Sequence, residues 1–263
     1  MPTNIKAKLL KKEELVSGIF KFSVQAEEIV KTAMPGNFIE IRVNDDIEPF
    51  LRRPISIHNL DKENGILEFI FQEKGKGTKL LSTKREGELI DIIGPLGYGT
   101  FKYSNYKSLG IIGGGIGVFP LYELAKCAYN ENKSVNTYLG FRNKDLVVLE
   151  NEFKEVSNTL TIATDDGSYV QKGFAIDFLK EDIEKGKIDC IYACGPLPML
   201  KAVRELALKK EIPCQISLEE KMACGLGVCL GCAVKTAASS KEAPEYWHVC
   251  KAGPVFQAKD VEI

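Results

Sequence analysis

The chain has 263 residues, long for one ordinary domain and comfortable for two. Its 36 acidic residues nearly cancel its 35 basic ones, so no cationic field is available to hold nucleic acid or an anionic membrane. The opening MPTNIKAKLL has no apolar run of signal-peptide length, and no stretch of about 18 uninterrupted apolar residues follows. A cytoplasmic protein with no membrane or nucleic-acid partner is expected.

From Lys6 to about Gly99 short β-type runs alternate with turn residues: Gly18–Val24, Phe38–Val43 and Gly65–Gln72. Alternating apolar and polar positions bounded by Gly, Pro, Asn and Asp predict an antiparallel barrel or sandwich. Within it, Arg52-Arg53-Pro54-Ile55-Ser56 closes a strand. Arg pairs bidentately with a diphosphate, and Ser56 shares a pleat with Pro54. An Arg-Pro pair ending a strand is also a common turn. Some twenty residues on, Lys74-Gly75-Lys76-Gly77-Thr78 opens a short helix whose free N–H groups, with Thr78 as cap, suit a phosphate.

The character changes at Leu109. Strands are predicted at Leu109–Ile112, Val135–Phe141, Leu160–Ala163, Asp189–Cys194 and Cys214–Ser217, and helices at Phe119–Tyr129, Phe174–Leu179 and Pro198–Lys209. Such alternation implies an open, mostly parallel sheet, with the boundary to the barrel near Phe101–Lys107. Gly113-Gly114-Gly115-Ile116-Gly117 resembles a dinucleotide loop, although Val118 occupies the third glycine position of G-x-G-x-x-G and Thr137-Tyr138 stand where an acid is usual. Cys194-Gly195-Pro196 ends a later strand and brings backbone to the same edge of the sheet; its other reading is a plain strand-to-helix connection. Asp165 and Asp166 follow the third strand, where they would repel a 2′-phosphate. NAD is therefore expected over NADP, with Arg142 and Lys144 as the nearest opposing cations.

Of eight cysteines, four lie in the tail as Cys224-x4-Cys229-x2-Cys232 followed, after seventeen residues, by Cys250. This is the ligand spacing of plant-type [2Fe–2S] sites with a shortened last gap. Gly225, Gly227 and Gly231 supply the unusual backbone angles such a loop needs. The competing reading is a four-cysteine zinc staple in a binding module, although zinc knuckles favour paired C-x2-C units. Residues 218–263 are too few and too poor in apolar residues to fold alone, so the metal is expected to hold them.

In chain order, Arg53-Pro54-Ile55-Ser56, Gly77-Thr78, Gly94-Pro95-Leu96-Gly97, Gly113–Gly117 and Cys194–Met199 resemble the ferredoxin–NADP reductase superfamily across about residues 1–217. That resemblance implies a flavin-binding barrel followed by a nicotinamide-binding α/β domain. Ile55 stands where many members carry a Tyr stacked on the flavin. The tail, Ser217–Cys232 with His248-Val249-Cys250-Lys251-Ala252-Gly253-Pro254, is similar to the electron-transfer subunits of two-subunit NAD-dependent dihydroorotate dehydrogenases.

The resemblance implies three parts: an FAD-binding barrel at 1–100, an NAD-binding α/β domain at 101–217 and a [2Fe–2S] segment at 218–263. FAD falls to Arg53, Pro54, Ile55, Ser56, Ile70, Phe71, Gln72, Gly77 and Thr78. NAD falls to Gly113, Gly114, Gly115, Gly117, Cys194, Gly195 and Pro196, and the cluster to Cys224, Cys229, Cys232 and Cys250. The implied partner is an FMN-containing catalytic subunit, in a heterotetramer of two of each. Related reductases acting with ferredoxin or sulfur compounds carry similar tails and remain the alternative. With only His58 and His248, the chain offers no evident base for dihydroorotate, so no catalytic residue is expected in it.

Overall fold

The computed structural model describes residues 2–44, 46–240 and 242–263. Six antiparallel strands close a barrel: β1 (Thr3–Val16), β2 (Ile19–Gln25), β3 (Phe38–Arg42), β4 (Arg53–Asp61), β5 (Ile66–Gln72) and β6 (Leu89–Leu96). Alternation decides its interior. In β3, Ile39 and Ile41 point into the barrel core with Phe22, Leu67 and Phe69, while Phe38 and Glu40 lie on the outer face. Two short helices, α1 (Glu27–Val30) and α2 (Lys76–Ser82), cover turns of the barrel.

Residues 97–107 contain no regular element apart from an isolated bridge at Gly99, and they lead into a seven-stranded sheet. Its elements are β7 (Ser108–Gly114), α3 (Leu121–Asn130), β8 (Ser134–Phe141), α4 (Glu150–Glu155), β9 (Thr159–Thr164), β10 (Gln171–Lys172), α5 (Ala175–Glu184), β11 (Cys190–Cys194), α6 (Leu197–Lys209) and β12 (Cys214–Ser217). The order is β10-β9-β8-β7-β11-β12-β15, where β15 (Val255–Gln257) comes from the tail and runs antiparallel to β12. Leu109 and Ile111 of β7 meet α3 on one face, while Ile112 joins the α5 and α6 core on the other. That double burial explains the unbroken apolar run. Chain order reverses between β7 and β11, and ligand crevices of open sheets form at such a switch point.

α4, β10 and the hairpin of β13 (Ala233–Lys235) with β14 (Tyr246–His248) are all too short to leave a periodic signal in the sequence. The tail, expected to depend on metal alone, has an apolar anchor as well. Val234, Val249, Phe256 and Val261 are buried in the same core as α6 and β12, and Trp247 stacks on Phe256 at 5.9 Å. Apolar burial thus holds residues 233–263 in place through the sheet, a partner invisible when the tail is considered alone.

Barrel and sheet meet along α3. The buried His58 Nδ1–H donates to the Phe119 carbonyl at 2.9 Å, and its ring stacks on Tyr122 at 4.8 Å. Buried Glu123 accepts the Leu60 N–H at 2.9 Å and pairs with Lys126 at 2.7 Å. Burial drives the His58 pKa down from 6.5 to about 4. Between those values the unfolded chain binds a proton that the folded chain refuses, so His58 makes the fold lose stability as pH falls from about 6.5 to about 4. His58→Gln should flatten this acid limb. Urea unfolding midpoints at about pH 7 and pH 4.5 check it: an equal fall in both proteins excludes His58 as the source.

Candidate functional site

Two cavities open side by side where the barrel faces the carboxyl edge of the sheet. The smaller, about 220 Å³, is lined by Pro54, Ile55 and Ser56 of β4, Ile70, Phe71 and Gln72 of β5, and Thr78. The larger, about 780 Å³, is lined by Gly114, Gly115 and Gly117 after β7, by Gly195 and Pro196 after β11, and by Arg142 and Asp165. Gln72, Lys74, Ile116, Phe119 and Glu219 line both, so the two form one trough.

Arg53 opens β4 rather than closing a strand. It is not in the cavity wall; its guanidinium donates to the carbonyls of Leu51 and Arg52 (3.1 Å for the latter) and lies against Gly77, where a Cβ would collide with it. The β4 and α2 pieces are thereby brought together. Thr78 is not the helix cap, because α2 starts at Lys76 and places Thr78 at its third position. From there Thr78 Oγ1 accepts the N–H groups of Lys74 (2.9 Å) and Gly75 (3.2 Å), tying down the turn that precedes the helix. Ile55 does line the cavity, and Phe119 and Pro120 supply bulk that the strand motif lacks.

The glycine turn is a cradle. Gly115 has φ +54°, and a Cβ on Gly117 would lie 2.5 Å from the Cys194 carbonyl oxygen, so the two sheet-edge turns interlock backbone to backbone. A 3-10 turn, Gly115–Val118, intervenes before α3, which starts two residues later than the periodicity suggests. Two of the residues assigned to NAD stand outside the cleft lining. Gly113 packs against Val118 at a distance no side chain allows, and Cys194 is 1% exposed beneath the turn. Burial drives the Cys194 thiol pKa well above its usual range.

The cysteine loop is built around sulfur. Cys224 Sγ accepts N–H groups from Leu226 (3.3 Å), Val228 (3.4 Å) and Cys229 (3.4 Å), and Cys250 Sγ accepts from Gly227 at 3.1 Å. Cys232 and Cys250 lie 3.2 Å apart, Sγ to Sγ. Burial opposes ionisation of Cys224, but its three backbone donors outweigh it and lower the pKa to about 6. The converging N–H groups and the readily ionised Cys224 thiol suit an iron–sulfur cluster on the four cysteines, although among the described residues no three ligand side chains are gathered at metal-binding distance. Gly225 (φ +67°) and Gly227 (φ +79°) take the left-handed angles; the third is taken by Leu230 (φ +61°) and not by Gly231. Closing the Cys229–Cys232 turn strains the residue before Gly231.

Residues that the motifs miss come from the stretch between β12 and the loop. Leu218, Glu219, Glu220 and Met222 wall the smaller cavity, so the segment leading to Cys224 starts at the barrel pocket. Their signal is position: they follow a strand end at the carboxyl edge of the sheet.

A barrel pocket continuous with a glycine-turn cleft, and walled by the segment that leads into a cysteine loop, defines a flavin- and nicotinamide-dependent reductase with an iron–sulfur segment. Residues 6–103 match the oxidoreductase FAD-binding domain and residues 111–205 the oxidoreductase NAD-binding domain. Residues 219–262 match the iron–sulfur cluster binding domain of dihydroorotate dehydrogenase B, which sets aside the zinc staple. The chain is 39% identical over 254 residues to the electron transfer subunit of dihydroorotate dehydrogenase B (NAD(+)) from Lysinibacillus sphaericus, covering 95% of each chain. It is 40% identical over 253 residues to the Bacillus pumilus subunit, again with 95% of each covered. Among solved structures, a chain of an NADH-dependent reduced ferredoxin–NADP oxidoreductase superposes with a TM-score of 0.86 at 31% identity, over 98% of this chain and 90% of that one. A ferredoxin reductase of carbazole 1,9a-dioxygenase, at 21% identity and TM-score 0.67 over 81% and 67% of the two chains, shares the fold. The chain belongs to the family of electron transfer subunits of dihydroorotate dehydrogenase B (NAD(+)). Its cofactors are FAD and a [2Fe–2S] cluster, with NAD as co-substrate.

Proposed function

We propose that this chain carries reducing equivalents from an FMN-containing dihydroorotate dehydrogenase catalytic subunit to NAD, by way of its [2Fe–2S] cluster and FAD, in cytoplasmic pyrimidine synthesis. The observation that carries this reading is the continuous trough, walled at one end by the segment that leads into the cysteine loop. No helix among the described residues is long and apolar enough to cross a membrane. Bound FAD supplies chemistry that exchanges hydride with NAD on one side and single electrons with a cluster on the other.

The chain's own residues divide the work. Arg53, turning from the Leu51 and Arg52 carbonyls, would hold the FAD diphosphate beside the N–H groups that open α2, and Ser56 would offer its hydroxyl to the flavin ring. Ile55, Phe119 and Pro120 pack the ring and exclude water. Gly114, Gly115, Gly117, Gly195 and Pro196 keep side chains out of the cleft so that the nicotinamide reaches the flavin, with Gly113 and Cys194 setting the turn from behind. Asp165, in the wall of the larger cavity, would meet the adenosine ribose and favour NAD over NADP. Cys224, Cys229, Cys232 and Cys250 hold the cluster.

Around that loop Leu226, Val228 and Leu230 are exposed, with Val228 78% accessible. These side chains dock on the catalytic subunit, in an assembly of two copies of each chain. The TM-score of 0.86 to a ferredoxin-linked oxidoreductase chain favours a second reading, in which the same trough serves ferredoxin.

Cys229→Ser should bleach the iron–sulfur absorption while FAD stays bound, because the barrel pocket uses no cysteine. Full cluster content in the variant, by iron and sulfide analysis, contradicts the ligand assignment. Arg53→Ala should weaken FAD retention about ten- to a hundredfold, or about 1.5–3 kcal/mol, by removing a charge-assisted pair. Fluorescence titration of released FAD measures it, and unchanged affinity moves the diphosphate elsewhere.

The separated chain, loaded with both cofactors, should reduce artificial dyes with NADH and fail to oxidise dihydroorotate until an FMN-containing catalytic subunit is added. Turnover of dihydroorotate by the chain alone overturns the division of labour. Restoration of coupled electron transfer by ferredoxin instead decides for the second reading.

A further inference from the structure

One charged side chain beside the cysteine loop has no role in the scheme above. Glu40 sits in the middle of β3, on the outer face of the barrel, two residues beyond Phe38, which lines the barrel pocket. Residues i and i+2 of a strand share a face, so the strand that walls the pocket also carries Glu40 toward the tail. The tail covers it: Glu40 is 1% exposed. Its carboxyl group packs directly on Gly225, the residue after Cys224, where a Cβ would stand 2.5 Å from Glu40 Oε1.

Both carboxylate oxygens are buried and have no hydrogen-bond partner among the described residues. The nearest barrel cation is committed elsewhere. Arg52 forms an ion pair with the Asp91 carboxylate at 2.7 Å, donates to the Asp91 carbonyl at 3.2 Å, and reaches only the backbone oxygen of Glu40, at 3.5 Å. Arg53 lies against Gly77. On the loop itself, Lys251 packs its aliphatic stem under Gly227, where a Cβ would meet Lys251 Cδ at 2.9 Å. Burying a carboxyl group with no donor is costly and raises its pKa, here from 4.5 to about 7, so above that pH Glu40 places a negative charge against the metal-binding loop.

We propose that Glu40 is a positioning residue of the electron path that sets the reduction potential of the [2Fe–2S] cluster, its carboxylate, when ionised under Gly225, disfavouring the added electron and lowering the potential. Charge and solvent exposure near a cluster are the levers by which a protein moves its potential. Here the charge comes from the barrel, so the strand that bounds the flavin pocket also tunes its electron-transfer partner. The inference rests on the four-cysteine ligand assignment above.

The test is an EPR-monitored redox titration of the complete chain, loaded with FAD and cluster, at about pH 8.5. Glu40→Gln preserves shape and removes the charge; Glu40→Met does so without an amide. The cluster potential should become more positive in both variants, with the FAD potential unmoved and the EPR g-values retained. An unshifted or more negative cluster potential overturns the proposal. Loss of the cluster from both variants with FAD still bound also overturns it, because Glu40 then shapes the loop and does not tune it. Iron and sulfide analysis of the unaltered chain separates the underlying reading: absence of a cluster there removes the ligand assignment and the proposal together, whereas a full cluster whose potential ignores Glu40 removes only the proposal.

Discussion

Everything in this molecule is registered by the five residues that follow the last cysteine. Lys251 and Gly253 accept the N–H groups of Tyr98 and Gly99 at 3.1 and 2.9 Å, where the barrel ends. Pro254 accepts the N–H of Leu218, where the parallel sheet ends, and Val255 begins the strand that pairs with β12. The approach is so close that a side chain on Gly97 or Gly99 would run into Gly253, Pro254 or the Val255 carbonyl. Three structural parts thus meet in backbone contacts that only glycines permit, one residue away from Cys250. A chain that misplaced this wedge would lose the relation of cysteine loop to barrel as well as an edge of the sheet.

The same economy appears at the trough. Phe119 floors both cavities, and its carbonyl is held by His58 from the barrel. Tyr122 and Glu123, one helical turn further along α3, complete the contact through a ring stack and a buried carboxylate satisfied by the Leu60 N–H and Lys126. The linker is pinned too: the Gln215 amide exchanges two hydrogen bonds with the backbone of Lys102, at 2.8 and 2.6 Å. Partly buried polar pairs of this kind fix geometry more than they add stability, since each group must surrender its water. Fixed geometry is what hydride exchange across a shared trough requires, because small displacements of reacting atoms cost large factors in rate.

The loop around the cysteines is stabilised differently from the rest. Regular elements elsewhere satisfy their own N–H groups, whereas Leu226, Gly227, Val228 and Cys229 aim theirs at sulfur. Such donors favour thiolate over thiol, which prepares the site for metal.

Much of this was legible in the amino-acid order. Short-range patterns carry it: period-2 runs gave the barrel, apolar runs between helical stretches gave the parallel sheet, and C-x4-C-x2-C gave the cluster. Each depends on residues within a few positions of one another. The same local logic misplaced Thr78 by three positions in its helix, and it could tell neither that Leu230 takes the left-handed angle beside Gly231 nor whether Cys194 meets the cleft or lies buried beneath it. Only the tertiary structure decided that the tail supplies β15 to the sheet, that Leu218–Met222 wall the barrel pocket, and that Glu40 is enclosed. In the sequence, Glu40 is a polar residue alternating with Ile39 and Ile41, the signature of a solvated outer face. It is buried because residues 185 positions away fold over that face, and burial is a property of what comes to lie on top of a side chain, which no local pattern encodes.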